Sequence, residues 1–111
     1  MSAPLHKPVM LAEMLAAVAP RDGAAYVDGT FGAGGYSRAI LEAADCSVWA
    51  IDRDADAVAL GREMERDYPK RFTILCGRFG DMLSLLQSRG VERVDGVVLD
   101  LGVSSMQLDR P

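Results

Sequence analysis

The chain has 111 residues, half of them hydrophobic and a quarter charged, which suits one small domain with a packed core. Its formal net charge of −4 excludes a broad basic face that grips nucleic acid by charge alone. No apolar run approaches the roughly 20 residues of a membrane span, and "MSAPLHKPVM" lacks the apolar stretch of a signal peptide, so a cytoplasmic protein is expected.

Helix and strand signals alternate along the chain. Val9 to Ala19 reads as a helix, with Pro8 at a first-turn position and Pro20 after its end. Met10, Met14 and Val18 fall on one face, which should pack on a sheet. "AAYVD" reads as a short buried strand, and Ser37 to Ala44 as a helix leaving a glycine-rich turn. "SVWAID" is a second strand, and Asp54 can cap the helix that follows, where Ala57, Gly61, Met64 and Tyr68 recur at helical spacing before Pro69. "RFTILC" is a third strand, Asp81 can cap the next helix, and Gly90 can end it. "VDGVVLD" is a fourth, almost wholly apolar strand.

This alternation predicts an α/β fold: a Rossmann-like parallel sheet of about four strands with helices on both faces. Such sheets bind ligands at the carboxyl ends of their strands. Asp28 and the glycine turn end the first strand, Asp52 the second, Gly77-Arg78-Phe79 the third and Asp100 the fourth. Cys46 and Cys76 have no metal-like or redox spacing and read as buried, reduced thiols. His6, the lone histidine, reads as a surface or packing residue, and no metal site is expected.

The turn runs Asp28-Gly29-Thr30-Phe31-Gly32-Ala33-Gly34-Gly35. A dinucleotide fingerprint needs G-x-G-x-x-G, and Ser37 stands where its third glycine would be. A pyrophosphate here would also face Asp28, whereas the ammonium and sulfonium of S-adenosylmethionine would be favoured by that carboxylate. Asp28 has the plainer alternative of capping the turn. Asp52 suits the two hydroxyls of an adenosine ribose, which NAD also carries. Phe79 can lie against adenine or belong to the core. Asp100 can approach the adenine amine, the methionine end or the nucleophile, or serve the fold alone.

"HKPVML", "YVDGTFGAGGYSRAIL", "AIDRDADA", "RFTILCGRF" and "VDGVVLDLGVSSMQLD" occur in the order found in the RsmH (MraW) family, which nearly the whole chain resembles. The combination of "DGTFGAGG" with "DLGVSSMQLD" is specific to it. The resemblance implies a class I S-adenosylmethionine-dependent methyltransferase that acts on N4 of a cytidine in small-subunit ribosomal RNA. It implies that Gly34, Gly35, Tyr36, Asp52, Phe79, Asp100 and Gln107 bind the donor. Gln107 rests on the resemblance alone. Family members often carry His at the position of Tyr36 and Pro at that of Met106.

RsmH-like proteins are longer, so residues 1–111 are expected to be the N-terminal, donor-binding part, without the remaining strands and a helical insertion. Asp100 is the expected catalytic residue, an acceptor that holds the cytidine amine and helps remove its proton. Ser104 and Ser105 are weaker candidates for orienting the base. "DLGVSS" differs from the (Asp/Asn)-Pro-Pro-aromatic motif of many amino-methyltransferases. The expected partner is small-subunit ribosomal RNA, reached through the longer protein. The chain alone is otherwise an inactive donor-binding module, which would self-associate through an open edge at "VDGVVLD". An NAD-dependent oxidoreductase is the remaining alternative.

Overall fold

The computed structural model describes residues 11–99 and the backbone of residues 102–104. Within them the order is α1 (Leu11–Val18), β1 (Ala25–Asp28), α2 (Gly35–Ala43), β2 (Ser47–Asp52), α3 (Ala55–Asp67), β3 (Phe72–Cys76), α4 (Met82–Ser88), β4 (Gly96–Leu99) and β5 (Gly102–Ser104). The sheet order is β3-β2-β1-β4-β5. The first four strands are mutually parallel, as the alternation predicts. β5 runs antiparallel to β4, pairing Val97 with Ser104 and Leu99 with Gly102.

Strand residues point alternately to the two faces of the sheet. Tyr26, Val48, Ala50, Phe72, Ile74 and Val98 share a core with Met14 and Val18 of α1, Ile40 and Leu41 of α2, and Ala57 and Met64 of α3. Val27, Ile51, Leu75 and Val97 pack on the opposite face with Met82 and Leu86 of α4. Full burial of one such aliphatic side chain is worth about 1.5–3 kcal/mol. α3 packs tightly on the sheet at Gly61, where a Cβ would lie 2.7 Å from the Cβ of Ile74.

Helix ends follow local chemistry in some places and not in others. Asp54 caps α3 as expected, its carboxylate accepting the Asp56 N–H at 2.8 Å. Asp81 makes no capping hydrogen bond to α4. A single 3-10 turn, Phe79–Asp81, precedes that helix, and the Asp81 carboxylate lies 3.7 Å from the Arg78 guanidinium instead. Gly90 follows α4, its N–H donating to the Gln87 carbonyl at 3.0 Å.

Two further expectations are corrected. Cys46 is buried, and burial raises its thiol pKa, but Cys76 is exposed, because it ends the outermost strand. The edge expected at β4 is not open: β5 supplies a second ladder of hydrogen bonds there. Among the described residues no helix is long and apolar enough to cross a membrane.

Candidate functional site

The carboxyl ends of β1, β2 and β3 lie side by side in the parallel sheet. They border an open cleft of about 380 Å³, lined by Gly29, Thr30, Asp52, Arg53, Gly77, Arg78 and Phe79. That volume falls in the range of small-molecule sites, roughly 300–1,000 Å³.

Asp52 ties three segments together at this cleft. Its Oδ2 accepts the Gly32 N–H at 3.0 Å, its Oδ1 accepts the Asp54 N–H at 2.9 Å, and its backbone carbonyl accepts the Gly77 N–H at 3.0 Å. The side chain is only half-buried, and each carboxylate oxygen keeps a lone pair for another donor. Two such acceptors on one group match a pair of neighbouring hydroxyls.

Phe79 is 39% exposed and forms part of the wall, so it is not a core residue. Gly29 lies beneath it. A Cβ on Gly29 would stand 2.7 Å from Phe79 Cδ1 and 2.5 Å from Leu99 Cδ2. The absent side chain therefore lets the Phe79 ring and Leu99 pack directly onto the backbone at Gly29, which fixes the ring at the mouth of the cleft.

Asp28 behaves differently from the expectation that it faces a ligand. It is fully buried, with its carboxyl turned into the protein. Oδ2 accepts the Ser37 hydroxyl at 2.7 Å and Oδ1 accepts the Thr30 N–H at 3.1 Å. Burial pushes its pKa up to about 6, against the opposing effect of the Ser37 and Thr30 hydrogen bonds and with a smaller push from the nearby Asp52. The turn-capping alternative is what the structure displays. The cleft walls carry Arg53 and Arg78 as well as Asp52, so repulsion by cleft-facing acid does not by itself exclude a phosphate ligand.

Gly34 precedes α2 in the left-handed region at φ 88°, a conformation that suits glycine. Its N–H donates to the Phe31 carbonyl and its own carbonyl accepts the Arg38 N–H. Gly35 is exposed and opens α2, and Tyr36 is half-buried against the core. These three are not among the residues that line the cleft, whereas Asp52 and Phe79 are. Asp100 and Gln107 lie outside the described residues. The sequence reading placed Gly29 and Thr30 in the glycine turn and Gly77 and Arg78 at the end of the third strand without giving any of them a role, and it left out Arg53. Each stands within two residues of one it did single out, which was the available signal.

The sequence model of the MraW methylase family matches residues 3–111. A curated relative, the ribosomal RNA small subunit methyltransferase H of Paramagnetospirillum magneticum, is 61% identical over 111 residues, which cover 100% of this chain and 35% of that protein. The chain thus spans about a third of the length of the curated relatives it matches. Among solved structures, the fold is similar to a precorrin 8W decarboxylase of Methanobacterium thermoautotrophicum, with a TM-score of 0.65 and 18% identity over 81% of this chain and 46% of that one. It is also similar to an rRNA methylase of Streptococcus thermophilus, with a TM-score of 0.59 and 19% identity over 89% of this chain and 51% of that one. At these identities the two structures show the fold, which is that of class I methyltransferases.

Proposed function

Because the chain belongs to the MraW methylase family, we propose that it forms the donor-holding part of an S-adenosylmethionine-dependent methyltransferase acting on small-subunit ribosomal RNA, with a cytidine N4 as acceptor. The observation that carries the donor site is the half-exposed Asp52 facing the same cleft as Phe79. Bound S-adenosylmethionine supplies an electrophilic methyl group on a sulfonium.

The residues of this chain hold and orient. Asp52 accepts hydrogen bonds from ribose hydroxyls while its contacts to Gly32 and Asp54 keep it fixed. Phe79 lies against adenine, and Gly29 lets the Phe79 ring pack close to the backbone at the end of β1. Gly35 and Tyr36 offer first-turn N–H groups of α2, and Gly34 sets the turn that presents them. Gln107 contributes a further polar contact to the donor. Asp100, the residue after β4, contacts the donor, accepts the N–H of the cytidine amine and helps to take its proton. Alignment of acceptor and methyl group supplies much of the rate. The cytidine enters unstacked or single-stranded.

The protein works in the cytoplasm, where its rRNA substrate lies. The chain by itself holds the donor and self-associates, with the outer edge of β5 as the pairing site in place of β4.

Labelled S-adenosylmethionine in equilibrium dialysis, with NAD as competitor, tests the donor site. Retention of label that NAD does not displace is expected. Retention of NAD with no S-adenosylmethionine bound would point to the oxidoreductase instead. The role of Asp100 is tested by methyl transfer to small-subunit rRNA. Asp100→Asn is expected to lower it at least 100-fold, and unchanged transfer with unchanged donor affinity contradicts that role.

A further inference from the structure

β3 is the outermost strand at its end of the sheet, so one row of its backbone groups has no neighbouring strand to bond. The ladder shows which groups these are. The Gly77 N–H donates to the Asp52 carbonyl, and successive residues of a parallel strand turn their N–H and C=O groups to opposite sides. Thr73 and Leu75 therefore turn their backbone groups to β2, and Phe72, Ile74 and Cys76 turn theirs outward. The strand, FTILC, is uncharged and rich in β-forming residues, a composition that recruits another strand to an open edge.

The outward row is nevertheless occupied by the chain's own groups. The Ile74 N–H donates to Glu65 Oε2 at 2.9 Å, and the Ile74 carbonyl accepts from Arg62 Nη1 at 3.2 Å. The same Arg62 nitrogen lies 3.2 Å from Glu65 Oε2, so the two side chains form one clamp over both backbone groups of a single residue. Two residues earlier, the Phe72 N–H donates to the Tyr68 carbonyl at 3.1 Å. Arg62 and Glu65 stand three apart on α3 and so share a face. Gly61, which lets α3 settle against the Ile74 side chain, brings them level with the strand. An N–H has one proton to give, so Ile74 can pair with another strand only after the clamp opens.

We propose that Arg62 and Glu65 are an edge guard: they close β3 to a second copy of this chain, so that the sheet cannot be extended at that end. The opposite end is the β5 edge, the pairing site proposed above. A molecule with one usable edge stops at a two-fold pair, whereas one with two usable edges grows without closing. The guard thus limits how far the chain self-associates, whatever the strength of pairing at β5.

Light scattering over a concentration series tests this. The native chain should level off at a mass of two copies or fewer. Arg62→Ala combined with Glu65→Ala should raise the mass at least about twofold above the native value at the same concentration. A loosened fold would also aggregate, and a third substitution separates the two causes. Cys76→Pro removes an outward N–H, so it costs β3 no bond to β2 but obstructs an incoming strand. Added to the double variant, it should return the mass to the native value. Growth that persists with the proline overturns the proposal, and so does a double variant that keeps the native mass. If the double variant does not fold, Glu65→Ala alone, which frees the Ile74 N–H, takes its place with the same readings. A native chain that stays a monomer leaves the guard standing and removes the pairing at β5. A native chain that grows past two copies overturns the guard.

Discussion

Asp28 and Asp52 each close a parallel strand, on adjacent strands and on the same face of the sheet, yet the fold gives them opposite surroundings. Asp28 is fully buried, because the glycine turn and the first turn of α2 fold over it. Asp52 stays half-exposed at the mouth of a cleft and spends only part of its accepting capacity on Gly32 and Asp54. A carboxylate at a strand end therefore becomes a ligand contact or a turn clamp according to what the next few residues do. After Asp28 the chain returns with a serine hydroxyl. After Asp52 it moves directly into a helix with its own cap, Asp54.

The largest expected effect that sharpens this contrast is on ligand binding. Phe79→Ala and Asp52→Ala should both weaken S-adenosylhomocysteine, but unequally. Asp52→Ala removes two charge-assisted acceptors, worth together about 3 kcal/mol or more, so affinity should fall at least 100-fold. Stability of the same variant to urea should fall by about 1–3 kcal/mol, because the carboxylate also accepts the Gly32 and Asp54 N–H groups, so affinity is compared on the folded variant.

The second effect is on stability and belongs to Asp28. Its pKa is raised from 3.8 to about 6 in the folded state, so the native protein holds this proton more tightly than the unfolded chain. The sign follows: the favourable contribution is fully present below about pH 3.8 and is lost as pH rises through about 6. The loss is up to about 3 kcal/mol. Asp28→Asn removes the titration, so its stability relative to the native chain should rise across that window, read from urea midpoints at pH 4 and pH 7. A flat difference would mean that Asp28 is not the buried, proton-holding acid.

A third test is set far from both acids. Gly61→Ala improves helix propensity by up to about 1 kcal/mol in an exposed helix. Here the new Cβ would stand 2.7 Å from Ile74, so overpacking should win and destabilise by about 1–3 kcal/mol with donor affinity retained once folded. The smallest binding effect is Phe79→Ala, expected near 10-fold in affinity, since one face of stacking is lost and the polar contacts of Asp52 remain.

Much of this arrangement was legible in the sequence, for identifiable reasons. "SVWAID" coincides with β2 because its apolar run ends in an acid, and Asp54 announces α3 because a carboxylate there can only help the helix start. Phe79 and Asp52 were found from strand ends alone, and the structure brings both to one cleft. β5 was not legible. "GVS" is three residues long and carries no period, and it becomes a strand only because β4 offers it an edge. The inward turn of Asp28 was open in the sequence, since a capping acid and a ligand-facing acid look alike until the path of α2 is known. The use of Gly29 was hidden for a similar reason. Its need for space comes from Phe79 and Leu99, about 50 and 70 residues away along the chain.

The most direct test of the central claim is a calorimetric titration of the chain and of Asp52→Ala with S-adenosylhomocysteine, with urea unfolding run on both. The account predicts binding by the native chain and its loss in an Asp52→Ala variant that still unfolds cooperatively, at a midpoint lowered only by its two lost backbone contacts. Equal affinity in the two would contradict it, and would move the ribose contact away from the end of β2.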